Sequence, residues 1–190
     1  MTKVVSIILS GGAGSRLWPV SRQKYPKPFM EIGGKPLLQH ALERASLVSE
    51  DAVIVTNQDY HSLTEALVRQ NSNALKVSYL LEPMGRNTAP AIALATRFIC
   101  DKFGDDTICL VLAADHLIVG EDAFISEVQR AAEEADKANL VVFGVRPTGP
   151  ETGYGYIEVD SVADHPQPVK SFVEKPDRIK AETYLASGRY

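Results

Sequence analysis

This chain of 190 residues has few cysteines and histidines, and its acidic residues outnumber its basic residues. It contains two cysteines and four histidines, and its formal net charge is −4. Cys100 and Cys109 lack the paired spacing of a zinc site or a disulfide framework, so we expect two buried thiols. The negative charge argues against nucleic acid and anionic membranes as partners. A site for a phosphorylated ligand would therefore have to be built locally.

Long hydrophobic runs are missing too. The apolar stretch Val4–Leu9 is too short for the core of a signal peptide or for a membrane span, and it runs directly into glycines. We therefore expect a cytoplasmic protein. Apolar residues make up 45% of the chain and charged residues 23%, which suits a globular protein with a sizeable core. We predict one domain over residues 1–190.

Short β-branched runs alternate with longer segments of helical periodicity. This pattern is typical of an α/β domain, and it predicts a doubly wound, Rossmann-like fold in which helices flank a mostly parallel sheet. The predicted strands span residues 4–9, 52–56, 77–81, 108–113 and 140–145. The predicted helices span residues 37–48, 60–70, 89–103 and 123–137, with Pro36 in a first turn and Asn57 and Asp122 as candidate N-caps.

The pattern changes after Val145. Turn residues at 147–150 precede two strand-like runs, at 154–159 and 169–175, and a helical segment at 177–186. This order predicts an antiparallel or mixed extension of the sheet that ends in a helix.

A glycine-rich turn follows the first predicted strand. Its backbone amides would lie at the carboxyl end of a parallel strand, where ligands bind, and could face phosphate oxygens. Leu17 excludes a dinucleotide fingerprint, and no Gly-Lys-Ser/Thr sequence supplies a P-loop. A plain strand-to-helix turn is the alternative interpretation. The residues concerned are Gly11, Gly12, Gly14, Ser15 and Arg16.

The turn is part of a longer motif, residues 11–19 (GGAGSRLWP), followed by Ser21-Arg22 and Lys27-Pro28-Phe29. This motif resembles the signature of the mannose-1-phosphate guanylyltransferases, a group within the sugar nucleotidyltransferases. Pro28 stands where that group usually has glutamine, and there the chain is similar to the wider family. The resemblance implies that the glycines and Ser15 bind a nucleotide, and that Arg16 and Lys27 stabilise charge during catalysis.

A second stretch, residues 82–91 (EPMGRNTAPA), also resembles this family. It contains a strand end, a turn at 83–85 and a helix start near Thr88, which places its polar side chains at the same edge of the sheet. The resemblance implies that Glu82, Arg86 and Asn87 bind the nucleotide. A carboxylate or a backbone carbonyl near Glu82 would favour guanine, whose Watson–Crick edge presents hydrogen-bond donors.

Asp115 follows the fourth predicted strand and brings a carboxylate to that edge. A magnesium ion held by one or two carboxylates and by phosphate oxygens would neutralise charge there. In the resembling family an aspartate in this motif is a metal ligand, so Asp115 is predicted to be a catalytic and metal-binding residue, with Mg²⁺ as cofactor. The alternative is a turn cap. We expect His116 to support the loop.

Two later stretches, residues 153–158 (GYGYIE) and 172–176 (FVEKP), resemble the family's sugar-binding strands. A glycine between two tyrosines would let a ligand approach the backbone, with the rings as apolar walls. The resemblance implies that the phosphorylated sugar is bound by Tyr154, Gly155, Glu174 and Lys175. Taken alone, a Glu-Lys pair on a strand is more often a solvated face.

The resemblance covers nearly the whole chain and implies an enzyme that transfers a guanylyl group from GTP to mannose 1-phosphate. A related enzyme that uses UTP, dTTP or ATP stays open, as do a non-catalytic nucleotide-binding domain and the formation of a homo-oligomer. The chain ends at Tyr190, in a segment that resembles the middle of the family's catalytic domain. We therefore expect a domain truncated on its C-terminal side, before a second metal-binding aspartate, and poor turnover from these residues alone.

Overall fold

A computed structural model describes residues 2–12, 14, 17–22, 24–71, 75–161, 163 and 165–190. The chain divides into two compact units, Met1–Ala132 and Glu133–Tyr190. Among the helices within these ranges, none has the length and apolarity needed to cross a bilayer.

Strands and helices alternate through the first unit. Its strands are β1 (Val4–Leu9), β2 (Glu31–Ile32), β3 (Lys35–Pro36), β4 (Asp51–Asn57), β5 (Lys76–Glu82) and β6 (Ile108–Ala113). The helices that accompany them are α1 (Leu37–Ser46), α2 (His61–Gln70), α3 (Thr88–Phe103) and α4 (Glu121–Ala135), whose last three residues belong to the second unit.

Four of these strands form one parallel sheet in the order β5-β4-β1-β6, while β2 and β3 make a small antiparallel ladder. The chain passes outward from β1 to β4 and β5, and then returns to the other side of β1 as β6. Ligands bind at such a reversal, beyond the carboxyl ends of the strands. Leu9 pairs with Ala113, so the loops after β1 and β6 begin side by side. The predicted Rossmann-like fold is confirmed.

Alternate residues of the central strands supply two separate cores. On one face, Ile8 and Ile54 pack with residues of α1, α2 and α4. On the other face, Ile7 and Val53 pack with Ala95 and other residues of α3. Because successive side chains of a strand point to opposite faces, a continuous apolar run buries both sides of the sheet.

The helices differ in how much they bury. Six residues of α1 are buried, whereas Val128 is the one buried residue of α4. Pro36 directly precedes α1 as its N-cap residue. Asn57 caps the short 3-10 turn Gln58–Tyr60 that leads into α2, and its Oδ1 accepts a hydrogen bond from the Asp59 N–H at 2.8 Å. The predicted cap at Asp122 is wrong, because α4 already begins at Glu121; both acidic residues lie in its first turn, where they complement the helix dipole.

The second unit contains an antiparallel pair, β7 (Gly155–Glu158) and β8 (Ser171–Glu174), followed by α5 (Arg178–Ser187). Asp177 caps α5, because its carboxylate accepts a hydrogen bond from the Lys180 N–H at 2.9 Å. The predicted antiparallel strands are confirmed to within two residues at each end, as a two-stranded sheet of their own.

The predicted strand at residues 140–145 is wrong. All six residues are described, none belongs to a strand, and Leu140 and Val145 are almost fully exposed. A strand needs a neighbour for its backbone N–H and C=O groups, and no ladder of the described residues includes this segment. The hydrophobic character of residues 140–145 was therefore not enough to predict a strand.

The expectation of two buried thiols is also corrected. Cys100 and Cys109 are both free and only partly buried. The burial that Cys109 does have raises the pKa of its thiol, and a hydrogen bond with Thr96 opposes that shift.

Candidate functional site

A cavity of about 790 Å³ opens where the strands of the parallel sheet end. Its apolar lining includes Leu9, Val55 and Ala113, which are at or near the carboxyl ends of β1, β4 and β6. Its remaining lining includes most of the predicted nucleotide and catalytic residues of the first unit. These are Gly11, Gly12, Gly14, Lys27, Glu82, Asn87 and Asp115.

Two glycines of the turn are in close contact with predicted site residues. A Cβ on Gly14 would lie 2.5 Å from the Cβ of Lys27, and Gly14 also has a φ of 65°. A Cβ on Gly11 would lie 2.8 Å from Oε2 of Glu82. No side chain fits at either position without displacing its neighbour. The absence of side chains therefore lets the turn pack against the stem of Lys27 and the carboxylate of Glu82.

Ser21 holds the turn in this conformation. Its hydroxyl is buried and donates a hydrogen bond to the carbonyl oxygen of Gly14 at 2.5 Å. The same carbonyl accepts the Leu17 N–H at 2.9 Å. Ser21 belongs to the motif, but we predicted no role for it, because a sequence does not show where a hydroxyl points. By contrast Trp18, in the same motif, is 76% exposed.

An ion pair joins the two predicted catalytic residues that the structure describes. Nζ of Lys27 lies 2.7 Å from Oδ2 of Asp115, although the residues are 88 positions apart in the chain. Pro28 and Phe29, which follow Lys27 in a 3-10 turn, are buried and fix its backbone. His116 Nε2 lies 3.8 Å from Oδ1 of Asp115, in keeping with a supporting position.

The segment between β5 and α3 forms another part of the lining. Glu82 ends β5, and Asn87 precedes α3 with a φ of 67°, a conformation that favours glycine. The Asn87 side chain makes no capping hydrogen bond, so its amide group is not used to cap α3. Such backbone strain is concentrated at functional sites. Arg86, predicted to bind the nucleotide, is exposed and outside the described lining.

Ser15 and Arg16 lie outside the described residues. The nucleotide contacts predicted for Ser15 and the charge stabilisation predicted for Arg16 stay predictions.

The four residues predicted to bind the sugar lie together in the second unit. Gly155 pairs with Glu174 across the two strands, and the Lys175 N–H donates to the Tyr154 carbonyl at 3.1 Å. Nζ of Lys175 lies 2.6 Å from Oε1 of Glu174. A Cβ on Gly155 would overlap the Phe172 ring, so that ring fills the space we expected a ligand to use. Sugar binding by these residues stays a prediction.

Asp115 offers a single carboxylate to a metal ion. No group of three or more potential ligands, counting His, Cys, Asp and Glu, occurs in the described part of the chain. Mg²⁺ commonly takes one or two carboxylates together with phosphate oxygens and water, and this arrangement suits that mode of binding. The Lys27 ammonium already places a cation against Asp115. The residues present therefore fit a magnesium ion held largely by a phosphorylated substrate.

Comparison with known proteins agrees with the fold and with the motifs of the first unit. The chain belongs to the nucleotidyl transferase family, whose sequence profile matches residues 5–190. The resemblance to nucleotidyltransferases inferred from the motifs is thereby confirmed.

Individual relatives cover almost all of this chain. It is 45% identical to a mannose-1-phosphate guanylyltransferase of Klebsiella pneumoniae, over 98% of the chain and 41% of the relative. It is 46% identical to the xanthan biosynthesis protein XanB of Xanthomonas campestris, over 100% of the chain and 40% of the relative. The chain thus spans about two-fifths of the length of these curated relatives.

A solved structure shows the same fold. The crystal structure of a mannose-1-phosphate geranyltransferase from Thermus thermophilus superimposes with a TM-score of 0.83 at 35% sequence identity. The match covers 98% of this chain and 54% of that protein.

Proposed function

We propose that this protein transfers a guanylyl group from GTP to mannose 1-phosphate, giving GDP-mannose and pyrophosphate. The observation that carries the proposal is the cavity that brings the glycine turn, Lys27 and Asp115 together at the reversal point of the sheet. The names of relatives that are 45% identical over nearly the whole chain support this choice of substrates.

In this reaction a phosphate oxygen of mannose 1-phosphate attacks the α-phosphorus of GTP. A new P–O bond forms, the bond between the α-phosphorus and the bridging oxygen breaks, and the bond electrons leave with pyrophosphate. No protein nucleophile is needed, so catalysis rests on positioning and on stabilisation of charge. A bound Mg²⁺ would supply charge neutralisation on the phosphate oxygens.

The residues of the cavity have distinct proposed roles. The amides of the glycine turn bind phosphate oxygens, and Lys27 adds a positive charge beside them. Asp115 would hold Mg²⁺ through its carboxylate. Glu82 accepts hydrogen bonds from the donors of guanine, whereas adenine presents an acceptor beside its amino group and would leave the carboxylate only partly paired. Arg16 stabilises the departing pyrophosphate.

The cellular setting follows from the same proposal. Both cysteines are free, which supports a reducing cytoplasm as the compartment. The relative XanB is a xanthan biosynthesis protein, which supports a role for the product in polysaccharide biosynthesis.

Pyrophosphate release over a panel of nucleoside triphosphates and sugar 1-phosphates tests the proposal. We expect GTP with mannose 1-phosphate to give the fastest release, and chelation of Mg²⁺ to abolish it. Asp115→Asn should lower turnover on the order of 100-fold or more, the scale for losing a preorganised charged group. Lys35→Met provides a matched control, because it breaks the exposed Lys35–Glu43 ion pair outside the cavity lining.

Two other outcomes of this assay would change the proposed function. Equal release from ATP and GTP would contradict the role of Glu82 and leave a sugar nucleotidyltransferase of different base preference. Tight GTP binding without release from any pair of substrates would identify a non-catalytic nucleotide-binding domain.

A further inference from the structure

The carboxylate predicted to bind the metal already has a cation against it. Nζ of Lys27 lies 2.7 Å from Oδ2 of Asp115, and His116 Nε2 approaches the other oxygen at 3.8 Å. Both side chains of the Lys27–Asp115 pair are about one-third exposed and both residues line the cavity. The ion pair therefore lies where the nucleotide and its metal are proposed to bind.

A metal ion and the Lys27 ammonium compete for this carboxylate. Mg²⁺ requires its oxygen ligands at about 2.1 Å, so an ammonium left in contact with the same atom would lie close to a doubly charged ion. Two cations at such a distance repel each other strongly in a partly buried site. Binding of a divalent cation at Asp115 therefore weakens the contact with Lys27 and favours its displacement.

The anchoring of Lys27 limits where the displaced ammonium can go. Its backbone is fixed by the buried Pro28 and Phe29, and its Cβ is in contact with Gly14. Only the outer methylenes are left to rotate, so the ammonium moves while the stem stays against the turn. The glycine turn that lines this part of the cavity is the proposed phosphate site.

From these contacts we infer that Lys27 holds the metal position in the nucleotide-free protein and that cation binding transfers its charge to the triphosphate. The inference rests on the proposed function for the identity of the ligands. Lys27 thereby couples the two binding events, so that a cation on Asp115 raises the affinity for phosphate. Thermodynamic linkage requires the reciprocal effect as well, with bound phosphate raising the affinity for the cation.

The test measures Mn²⁺ binding to the nucleotide-free protein by electron paramagnetic resonance of the unbound ion. Lys27→Met keeps an apolar side chain of similar length but removes the competing charge. We expect it to bind Mn²⁺ about tenfold more tightly than the unaltered protein, within the usual range of coupling between sites. Asp115→Asn should abolish this binding, which assigns it to the proposed carboxylate.

Two further variants serve as controls, one for the general loss of a positive charge and one for a failure of Lys27→Met to fold. Lys35→Met also removes one lysine charge from an ion pair, and should leave Mn²⁺ affinity unchanged. Lys27→Gln should reproduce the tighter binding if Lys27→Met fails to fold. Equal or weaker Mn²⁺ binding by a folded Lys27 variant would overturn the inference, since Lys27 would then not compete with the metal.

These outcomes are separable from a failure of the proposed function. Tighter Mn²⁺ binding by Lys27→Met does not require that GTP or mannose 1-phosphate be the substrate. An inactive protein that shows this tightening would contradict the proposed reaction and support the inference. An active protein whose Lys27→Met variant does not bind Mn²⁺ more tightly would support the proposed reaction and contradict the inference.

Discussion

The two compact units of this chain differ in how fully they bury their apolar residues. In Met1–Ala132 both faces of β1 and β4 are covered by helices, and Ile8 and Ile54 are fully buried. In Glu133–Tyr190 only Tyr156 and Ala181 are buried among the described hydrophobic residues. None of the residues at 140–145 is buried. A similar hydrophobic pattern thus gives a core strand in one unit and an exposed segment in the other.

The difference shows what a hydrophobic run needs in order to become a strand. Residues 4–9 have paired neighbours on both sides and helices above and below. Residues 140–145 have none of these among the described elements. The decisive contribution is supplied by distant parts of the chain, which bring hydrogen bonds and burial together. Substitutions in the two units should therefore have very different effects.

The largest effect is expected for Ile8→Ala in the first unit. It would leave a cavity in the core between the sheet and α1, and such truncations lower the free energy of unfolding by about 2–5 kcal/mol. Urea denaturation followed by circular dichroism measures the change.

Leu140→Ser is the matched substitution in the second unit. Because Leu140 is fully exposed, we expect a change within about 0.5 kcal/mol. A loss as large as that of Ile8→Ala would show that residues 140–145 are buried in solution, and the contrast between the units would disappear.

An intermediate effect is expected for Gly14→Ala, which extends the comparison from the core to the site. The new Cβ would meet the stem of Lys27 in a backbone conformation that alanine disfavours by roughly 1–2 kcal/mol. Displacement of Lys27 by even part of an ångström should lower pyrophosphate release by about 10- to 100-fold.

Gly33→Ala separates strain from contact in that experiment. Gly33 has a similar φ of 64°, but a Cβ there would have no neighbour within 4 Å. We expect Gly33→Ala to lose a similar amount of stability while pyrophosphate release stays near that of the unaltered protein. A loss of activity in both variants would mean that backbone strain, and not the contact with Lys27, is responsible.

A small effect is expected at Asp177, the cap of α5 in the second unit. The Lys180 N–H lowers the pKa of its carboxyl below the ordinary value of 3.8. Its contribution to stability is therefore fully present above pH 3.8 and is lost as the pH falls through the lowered pKa. Asp177→Ala should lower the thermal midpoint slightly at neutral pH.

Asp177→Asn is the control, because its amide oxygen still accepts the capping hydrogen bond without titrating. It should remain close to the unaltered protein at neutral pH and lose less stability on acidification. Equal acid sensitivity of all three proteins, followed by circular dichroism, would exclude Asp177 as a source of pH dependence.

The sequence predicts the first unit well, because the information there is local. The four strands of the parallel sheet and the start of α3 near Thr88 follow from short apolar runs and helical periodicity. The grouping of Gly14 and Asp115 follows from the rule that parallel strands end at one edge, while Lys27 was assigned to the site by the family resemblance. No periodicity, however, could show that Ser21 points at the Gly14 carbonyl, because that contact depends on how the turn folds back.

The second unit is predicted less well for a physical reason. Its antiparallel strands and the helix that starts near Asp177 are local features and were predicted. The failure at residues 140–145 comes from the missing partner strand, which no local pattern specifies. The missing side chain at Gly155 could make room for a ligand or for a neighbouring side chain. Only the structure shows that the ring of Phe172 takes the space.

The sparse burial of α4 has a consequence for the dynamics of the chain. With Val128 as its one buried residue and Phe124 partly buried against the same core, this helix has less apolar area than α1 to hold it against the sheet. Its exposed Glu127–Arg130 ion pair adds little stability. Local opening of α4 should therefore cost much less free energy than opening of α1, which buries six residues. In hydrogen–deuterium exchange, the amides of α4 would exchange as a separate early unit while the α1 amides remain protected until the whole sheet unfolds.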